Sequence, residues 1–469
     1  MKLKYRALSF YLLFCLVAVA LVPTSVAAAA PIRVFLNGRQ LSFDTPPILE
    51  AGRTLVPFRA IGEAMGVAVH WDTARRVVRA QQQGVIVELP VGEKTATVNG
   101  QSVILDVPAT IRQNRTLVPL RFFSQAFGAQ VHWNNATRTV TISTGPASAY
   151  ILGYYYSKSY QDFMENYQNL SGVAAMWYTL DSNGRLTGQA AARGISVPQG
   201  YEEPLAVAAE NGIETYALVF ENTADKIHQV LADRTLGDQL ISDIVQLLKD
   251  EGYTGVNIDF EMVRESDGAN LTTFIQRLGE AVHAAGKKLA LSLPARTETG
   301  WHRAYDYAAL GRVADQVAIM AYDYAPGTAG PQATLPWVRQ VVDYTLERIP
   351  AHKVLLGLPL YGYDWSTQGR RTVLFTETGL NVLYLDDLFA RYRPELKWDE
   401  KSSQPYFNYV DENGINHSVW YENAASIGAK LDLVQEKGLA GVAIWRLGYT
   451  TPWFYALLGQ RWVAESKTS

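Results

Sequence analysis

Three polar side chains recur at every second position of Gly255-Val256-Asn257-Ile258-Asp259-Phe260-Glu261. In a strand that spacing puts Asn257, Asp259 and Glu261 on one face and Val256, Ile258 and Phe260 on the other. Two carboxyls two residues apart on one face cannot both ionise cheaply, so Glu261 can keep its proton near neutral pH. That is what a general acid needs. Polar groups on a buried strand cost free energy unless they bond to one another or to a ligand, and Asn257 can donate to Asp259. Other chemistries find no footing. There is no H-E-x-x-H, no Cys cluster and no Walker-type glycine loop. His228, His283, His302, His352 and His417 are scattered and form no triad or metal pattern. The reading calls for no metal and no cofactor.

The elements that must position this segment follow from its surroundings. Strand-like runs occur at Tyr150–Tyr155, Val173–Thr179, Thr215–Phe220, Gly255–Glu261, Lys288–Leu293, Gln316–Ala321, Lys353–Pro359 and Gly441–Arg446. Helical patterns lie between several of them, among them Leu236–Glu251, Asn270–Ala285 and Leu335–Glu347. Eight strands alternating with helices over residues 148–462 predict an α/β fold, a (β/α)8 TIM barrel. The polar face of the fourth strand then ends at the C-terminal rim, where such barrels place their sites. The seventh crossover is too long for one helix. It predicts a small α+β insertion over residues 366–420.

The chain begins differently. Lys2, Lys4 and Arg6 precede an apolar run from Leu8 to Val22, then an Ala-rich exit to Ala30. This is the layout of a secretory signal peptide over residues 1–30, and no later segment is apolar enough to span a bilayer. The one cysteine, Cys15, lies in that run, so the mature chain is expected to carry no disulfide. Residues 31–145 hold one unit twice, offset by 62: Arg53-Thr54-Leu55-Val56-Pro57 recurs as Arg115-Thr116-Leu117-Val118-Pro119, and Val69-His70-Trp71 as Val131-His132-Trp133. Asn37-Gly38 and Asn99-Gly100 are hairpin turn signals. Pro57 and Pro119 open short helices that Gly66 and Gly128 end. A helix cradled by a small antiparallel sheet, twice over, is the expectation.

The fourth-strand motif resembles D-x-x-D-x-D-x-E of family-18 glycoside hydrolases, with Asn257 where the middle Asp would stand and Thr254 where the first would. Met320-Ala321-Tyr322-Asp323 is similar to that family's sixth-strand motif, Gly153-Tyr154-Tyr155 to its first strand, and Trp445 to the Trp flooring its sugar pocket. The resemblance covers about two-thirds of the chain. Tyr361-Gly362-Tyr363-Asp364-Trp365 and Pro405-Tyr406-Phe407-Asn408-Tyr409 look like the branch of spore-forming bacteria that acts on N-acetylglucosamine bonds in spore cortex or wall peptidoglycan. The resemblance implies a retaining, substrate-assisted hydrolase. In it Glu261 is the acid, Asp259 holds the substrate acetamido group, Tyr322 bonds the acetamido oxygen and Asp323 helps position the sugar. Asn257, Tyr154, Trp177, Met320, Trp365 and Trp445 are the expected substrate-binding residues. A chitinase and a glycan-binding barrel without turnover are the competing readings.

The repeats resemble the N-terminal domain of some copper amine oxidases, yet His70 and His132 have no ligand at a metal spacing nearby. Charge divides along the same line. The net −3 combines the 3 basic residues of 1–30, 12 basic and 7 acidic residues in 31–145, and 27 basic and 38 acidic residues beyond. A basic exported module can rest on anionic wall polymer, and an acidic barrel can handle a glycan. The overall charge argues against a nucleic-acid partner, and no membrane contact is expected once the signal peptide is removed.

Overall fold

The computed structural model describes residues 31–464 apart from 37–38, 83, 136, 144–146, 157, 301, 326 and 376–382. The expected signal peptide and the Asn37-Gly38 turn lie outside the described residues. The chain divides into two compact units, with the division in the sequence between Gly145 and Pro146.

The first unit corrects the expectation of two separate cradles. Arg53–Pro57 of the first copy pairs antiparallel with Arg115–Pro119 of the second, with Val56 opposite Val118. Those two residues are equivalent under the 62-residue offset, so a local twofold axis passes between them. Arg33–Leu36, at the start of the first copy, pairs in parallel with Thr139–Val140–Thr141–Ile142 at the end of the second. One apolar cluster takes Val56, Phe58 and Ile61 from one copy and Val118, Leu120 and Phe123 from the other. A copy of this length exposes too much of its apolar surface to stand alone, so the two complete each other's core. Local signals are as expected. Asn99 and Gly100 have φ of 50° and 80° and join paired strands ending at Val98 and beginning at Gln101. Helices Phe58–Ala64 and Leu120–Ala126 follow Pro57 and Pro119, and Gly66 and Gly128 beyond their ends have positive φ.

The second unit is a closed parallel barrel. Its strands are β1 (Ala147–Tyr155), β2 (Gly172–Leu180), β3 (Glu214–Glu221), β4 (Gly255–Phe260), β5 (Lys288–Pro294), β6 (Gln316–Met320), β7 (Val354–Pro359) and β8 (Gly441–Trp445). Each pairs with the next, and β8 closes on β1. Side chains alternate as the period of two demands. Val256, Ile258 and Phe260 join the layer between strands and helices, while Leu152, Tyr154, Ala174, Met176, Tyr216, Ala290, Ala318 and Ala443 fill the interior. At the N-terminal end Glu214 of β3 takes Lys288 of β5 at 2.6 Å and the Tyr216 hydroxyl at 2.6 Å. Burial pushes the Glu214 carboxyl up, but these donors outweigh it and hold it below its ordinary value.

After β7 the chain leaves the barrel earlier than expected. The insertion's six-stranded sheet begins at Gly362–Ser366 and ends at Asn416–Trp420. Helix Ala424–Lys437 then returns the chain to β8. Among the described residues no helix is long and apolar enough to cross a membrane.

Gly255 sets the register of the strand that carries the polar face. A Cβ there would stand 2.3 Å from the Lys288 carbonyl oxygen, an immovable backbone atom. Gly255→Ala is expected to cost about 1–3 kcal/mol through overpacking. A lowered thermal midpoint of the barrel is the readout; an unchanged midpoint would mean β4 and β5 can part without loss.

Candidate active site

The interior face of β4 carries Asn257 and Asp259, which are 1% and 2% exposed, and Glu261 follows the strand end, half-buried. The Glu261 amide donates to the Glu221 carbonyl at 2.9 Å, which continues the β3–β4 ladder one residue past the strand. The sequence therefore delivers both carboxyls to the C-terminal mouth, because β4 is paired to β5 as far as Ile258 and to β3 as far as Phe260.

A hydrogen-bonded row runs beneath them. The Ser292 hydroxyl of β5 donates to Asn257 Oδ1 at 2.9 Å, and the Tyr154 hydroxyl lies 2.7 Å from the same Ser292 oxygen. A serine has one hydroxyl proton, so Tyr154 is the donor in that second bond. Asn257 thus spends its acceptor on Ser292, and its Nδ2 has no partner among the described residues. Asp259 Oδ1 is also buried and without a partner among the described residues. The expected hydrogen bond from Asn257 to Asp259 is not formed; a donor and an acceptor stand two residues apart on one face, each unsatisfied. Unsatisfied polar atoms at this depth each cost about 1–3 kcal/mol unless a ligand meets them.

Burial and then the neighbouring Glu261 charge hold the Asp259 carboxyl well above its ordinary value. Glu261 is raised by burial and then by the charge of Asp323. Asp323 follows β6 with φ of 57°, the left-handed region that costs a residue with a Cβ, and it accepts from the Tyr361 and Tyr363 hydroxyls at 2.9 and 2.7 Å. Tyr322 is half-buried, edge-on to Tyr361 at 6.3 Å, with its hydroxyl pushed well up by burial and then by Tyr154 and Asp259. Gly357 of β7 makes room for it: a Cβ there would lie 2.9 Å from Tyr322 Cε1. Met320, half-buried, ends β6 just before this group. Trp445 ends β8, half-buried, with its ring 5.4 Å from that of Tyr154.

Three of the expected sugar contacts stand elsewhere than expected. Trp177 points outward from β2 and packs edge-on against Tyr155 and Tyr201 at 5.3 and 5.9 Å, 2% exposed, so it fills the layer under the helices. Its odd position on β2 faces away from the interior, which Ala174 and Met176 occupy. Tyr154 does face inward, but at 1% exposure its ring cannot stack on a sugar, and it serves the Ser292 row instead. Trp365 sits on the insertion strand, opposite Ser418, and not at the end of a barrel strand. It packs on Tyr363 at 5.9 Å, with the Arg370 guanidinium 5.5 Å from its ring. Ser292, Gly357, Tyr361 and Tyr363 complete this group through contacts that residue type and spacing alone do not single out.

A carboxyl with a raised folded pKa binds more protons folded than unfolded. Its contribution to stability is complete below the ordinary value of 3.8 and is lost as pH climbs through the folded value. Asp259→Asn removes that loss. The variant is expected to melt several degrees above the parent at pH 7, with the gap narrowing toward pH 4, at about 2–4 °C per kcal/mol. A gap that does not depend on pH would show that Asp259 is ionised in the folded chain at no cost.

The geometry has a counterpart among known proteins. The model of glycosyl hydrolases family 18 matches residues 131–449, and that of the copper amine oxidase N-terminal domain matches residues 35–142. A chitinase structure from Chromobacterium violaceum is 32% identical, with a TM-score of 0.60, over 67% of this chain and 98% of that one. The putative sporulation-specific glycosylase YdhD of Bacillus subtilis is 34% identical over 235 residues, 48% of this chain and 55% of its own length. The cortical fragment-lytic enzyme of Bacillus subtilis is 31% identical over 260 residues, 53% of this chain and 59% of its own length. The chain thus spans little more than half the length of these two relatives. Because the family-18 match takes in well over half of the residues, including β4 and its carboxyls, the chain belongs to the glycosyl hydrolases of family 18.

Proposed function

We propose that this chain is an exported hydrolase that cleaves β-1,4 bonds beside N-acetylglucosamine in peptidoglycan or spore cortex, by a retaining, substrate-assisted mechanism. The observation that carries the mechanism is the unpartnered Asp259 Oδ1 next to a raised Glu261 carboxyl. An acetamido N–H is the donor that this buried acceptor lacks. Glu261, protonated near neutrality, gives its proton to the leaving glycosidic oxygen. The substrate's acetamido oxygen attacks C1 as that bond breaks, giving a cyclic oxazolinium. Asp259 takes the acetamido N–H and stabilises the positive charge that grows there. The Tyr322 hydroxyl donates to the acetamido oxygen and aligns it. Asp323, held by Tyr361 and Tyr363, meets the sugar hydroxyls in the same subsite. Glu261, now ionised, takes a proton from water, which opens the ring and restores the acid. Trp445 offers a partly open ring for the sugar face.

Cortex or wall is preferred to chitin because of the two Bacillus subtilis relatives, one named for sporulation and one for cortical fragments. The Chromobacterium violaceum chitinase supports chitin as the second reading. Export is read from the layout of residues 1–30, and the net +5 of residues 31–145 is read as a hold on anionic wall polymer.

Glu261→Gln is expected to lower turnover by about 10²–10⁴-fold, the share general acid–base catalysis carries, while the chain still folds. Mass spectrometry of products from purified cortex and from chitin, parent beside variant, reads both claims. Near-normal turnover by the variant sinks the acid assignment, and products from chitin alone sink the wall substrate. Asn257→Asp places a third carboxyl beside Asp259, and a shifted pH–rate profile is expected. If the profile does not move, residue 257 is uncoupled from the proton on Asp259.

A further inference from the structure

The 62-residue offset that relates the two N-terminal copies also relates two grooves on the first unit. One, of about 600 Å³, is lined by Asp44, Arg59, Glu63 and Trp71 of the first copy and by Arg115 of the second. The other, of about 310 Å³, is lined by Asp106, Arg121, Gln125 and Trp133 of the second copy and by Arg53 of the first. Each residue of one set is the other's partner under the offset. Each groove is therefore a joint product: one copy supplies helix, Trp and Asp, and its mate supplies the Arg. Two reciprocal ion pairs mark the joints, Arg53 to Asp106 at 2.6 Å and Arg115 to Asp44 at 2.7 Å. The smaller volume goes with Phe122, which stands where the larger groove has Ala60.

Fold stability does not account for what the copies share here. The ion-paired side chains are 44–68% exposed, and pairs that open to water are worth about 0–1 kcal/mol. Arg59 and Arg121 are exposed and have no ion pair or hydrogen bond among the described residues. Trp71 and Trp133 are half-buried, each leaving part of an indole in its groove. An indole, a free guanidinium and an Arg–Asp pair together offer a stacking face, an anion partner, and a donor–acceptor set for hydroxyls.

We propose that these grooves are a pair of binding sites for an anionic glycan, a sugar ring lying on Trp133 or Trp71 and its carboxylate or phosphodiester meeting Arg121 or Arg59. The two are unequal. Glu63 shares its groove with Arg59, whereas the other groove has Gln125 at that place, so the Arg121 charge is unopposed there. The Arg121 groove is the stronger anion site. This assignment rests on the wall-contact reading above and gives it an address.

The test is co-sedimentation of the full chain, carrying Glu261→Gln so that the wall is not digested, with Gram-positive sacculi across a salt series. Arg121→Ala is expected to lower affinity about tenfold and to flatten the salt dependence. Arg59→Ala is expected to do less. Glu63→Gln removes the opposing charge and is expected to raise affinity several-fold, a gain that misfolding cannot produce. Sacculi stripped of phosphate polymer by acid separate the two anion sources: retained binding assigns the carboxylate, lost binding the phosphodiester. No sedimentation even at low salt overturns the wall reading and the grooves with it. Sedimentation that all three substitutions leave unchanged spares the wall reading and overturns the grooves alone. Equal losses for Arg59→Ala and Arg121→Ala with no salt dependence would mean a neutral ligand and overturn the anion assignment.

Discussion

A carboxyl without a partner inside a barrel is the constraint around which the second unit is arranged. Asp259 has burial to raise it, a second acid two residues on, and no donor at Oδ1 among the described residues. Such a group persists only where its surroundings leave it nowhere else to go. β4 is paired continuously to β3, with Asp259 opposite Phe220 and Asn257 opposite Leu218, and to β5, with Asn257 opposite Ala290. Gly255 lets β5 close against it. The residues that share its interior include Ala174, Ala290, Ala318 and Ala443. Small side chains there leave space above the Tyr154–Ser292 row without supplying the missing donor.

The comparison with other acids of the same barrel shows what the absence of a partner means. Glu214 at the N-terminal end is buried, yet Lys288 and two tyrosines satisfy it. Glu221 ends β3, beside the β4 acids, and its side chain is fully buried; burial raises it, but Arg193 and the Thr223 bonds bring it down to about 2. Glu422 is buried against Lys430 in the support of the insertion. Each of these is an ion pair holding elements together. Asp259 is as buried as these, Glu261 is half-buried, and neither has a cation among the described residues. Buried acids that are paired elsewhere, beside two left without a cation at the barrel mouth, mark that mouth as the candidate site.

Strand periodicity made the barrel legible, because parallel strands buried on both faces read as apolar runs and any polar alternation stands out against them. The expected strand bounds differ from the observed ones by three residues at most, and β4 was found from three side chains. The rest of the site depends on contacts distant in sequence. Tyr361 and Tyr363 are 38 and 40 residues from the Asp323 they hold, and Ser292 is 35 from Asn257. No local pattern carries such pairings. Trp177 misled for a related reason: its type suits a sugar, but the phase of β2 turns it to the helices. The repeats show the same limit. Repetition was plain in the sequence, but whether each copy closes on itself or on its mate is decided by how much core each can bury.

That choice bears on what duplication achieves. Were each copy a closed unit, two copies would be two independent modules, and loss of one would leave half the function. With Val56 facing Val118 across the dyad, every groove draws on both copies, and neither groove exists without the other copy's arginine. A shared core holds the copies together while the exposed positions are free to diverge, as Glu63 and Gln125 have. Divergence on a symmetric frame yields two grooves of common plan and unlike volume and charge. The surplus of positive charge then sits on the unit without the unpaired acids, and the surplus of negative charge on the unit that has them. An anionic polymer is attracted over about 8–10 Å by the first and repelled over the same range by the second. On the proposed reading, the basic unit holds an anionic polymer and the acidic unit does not compete for it.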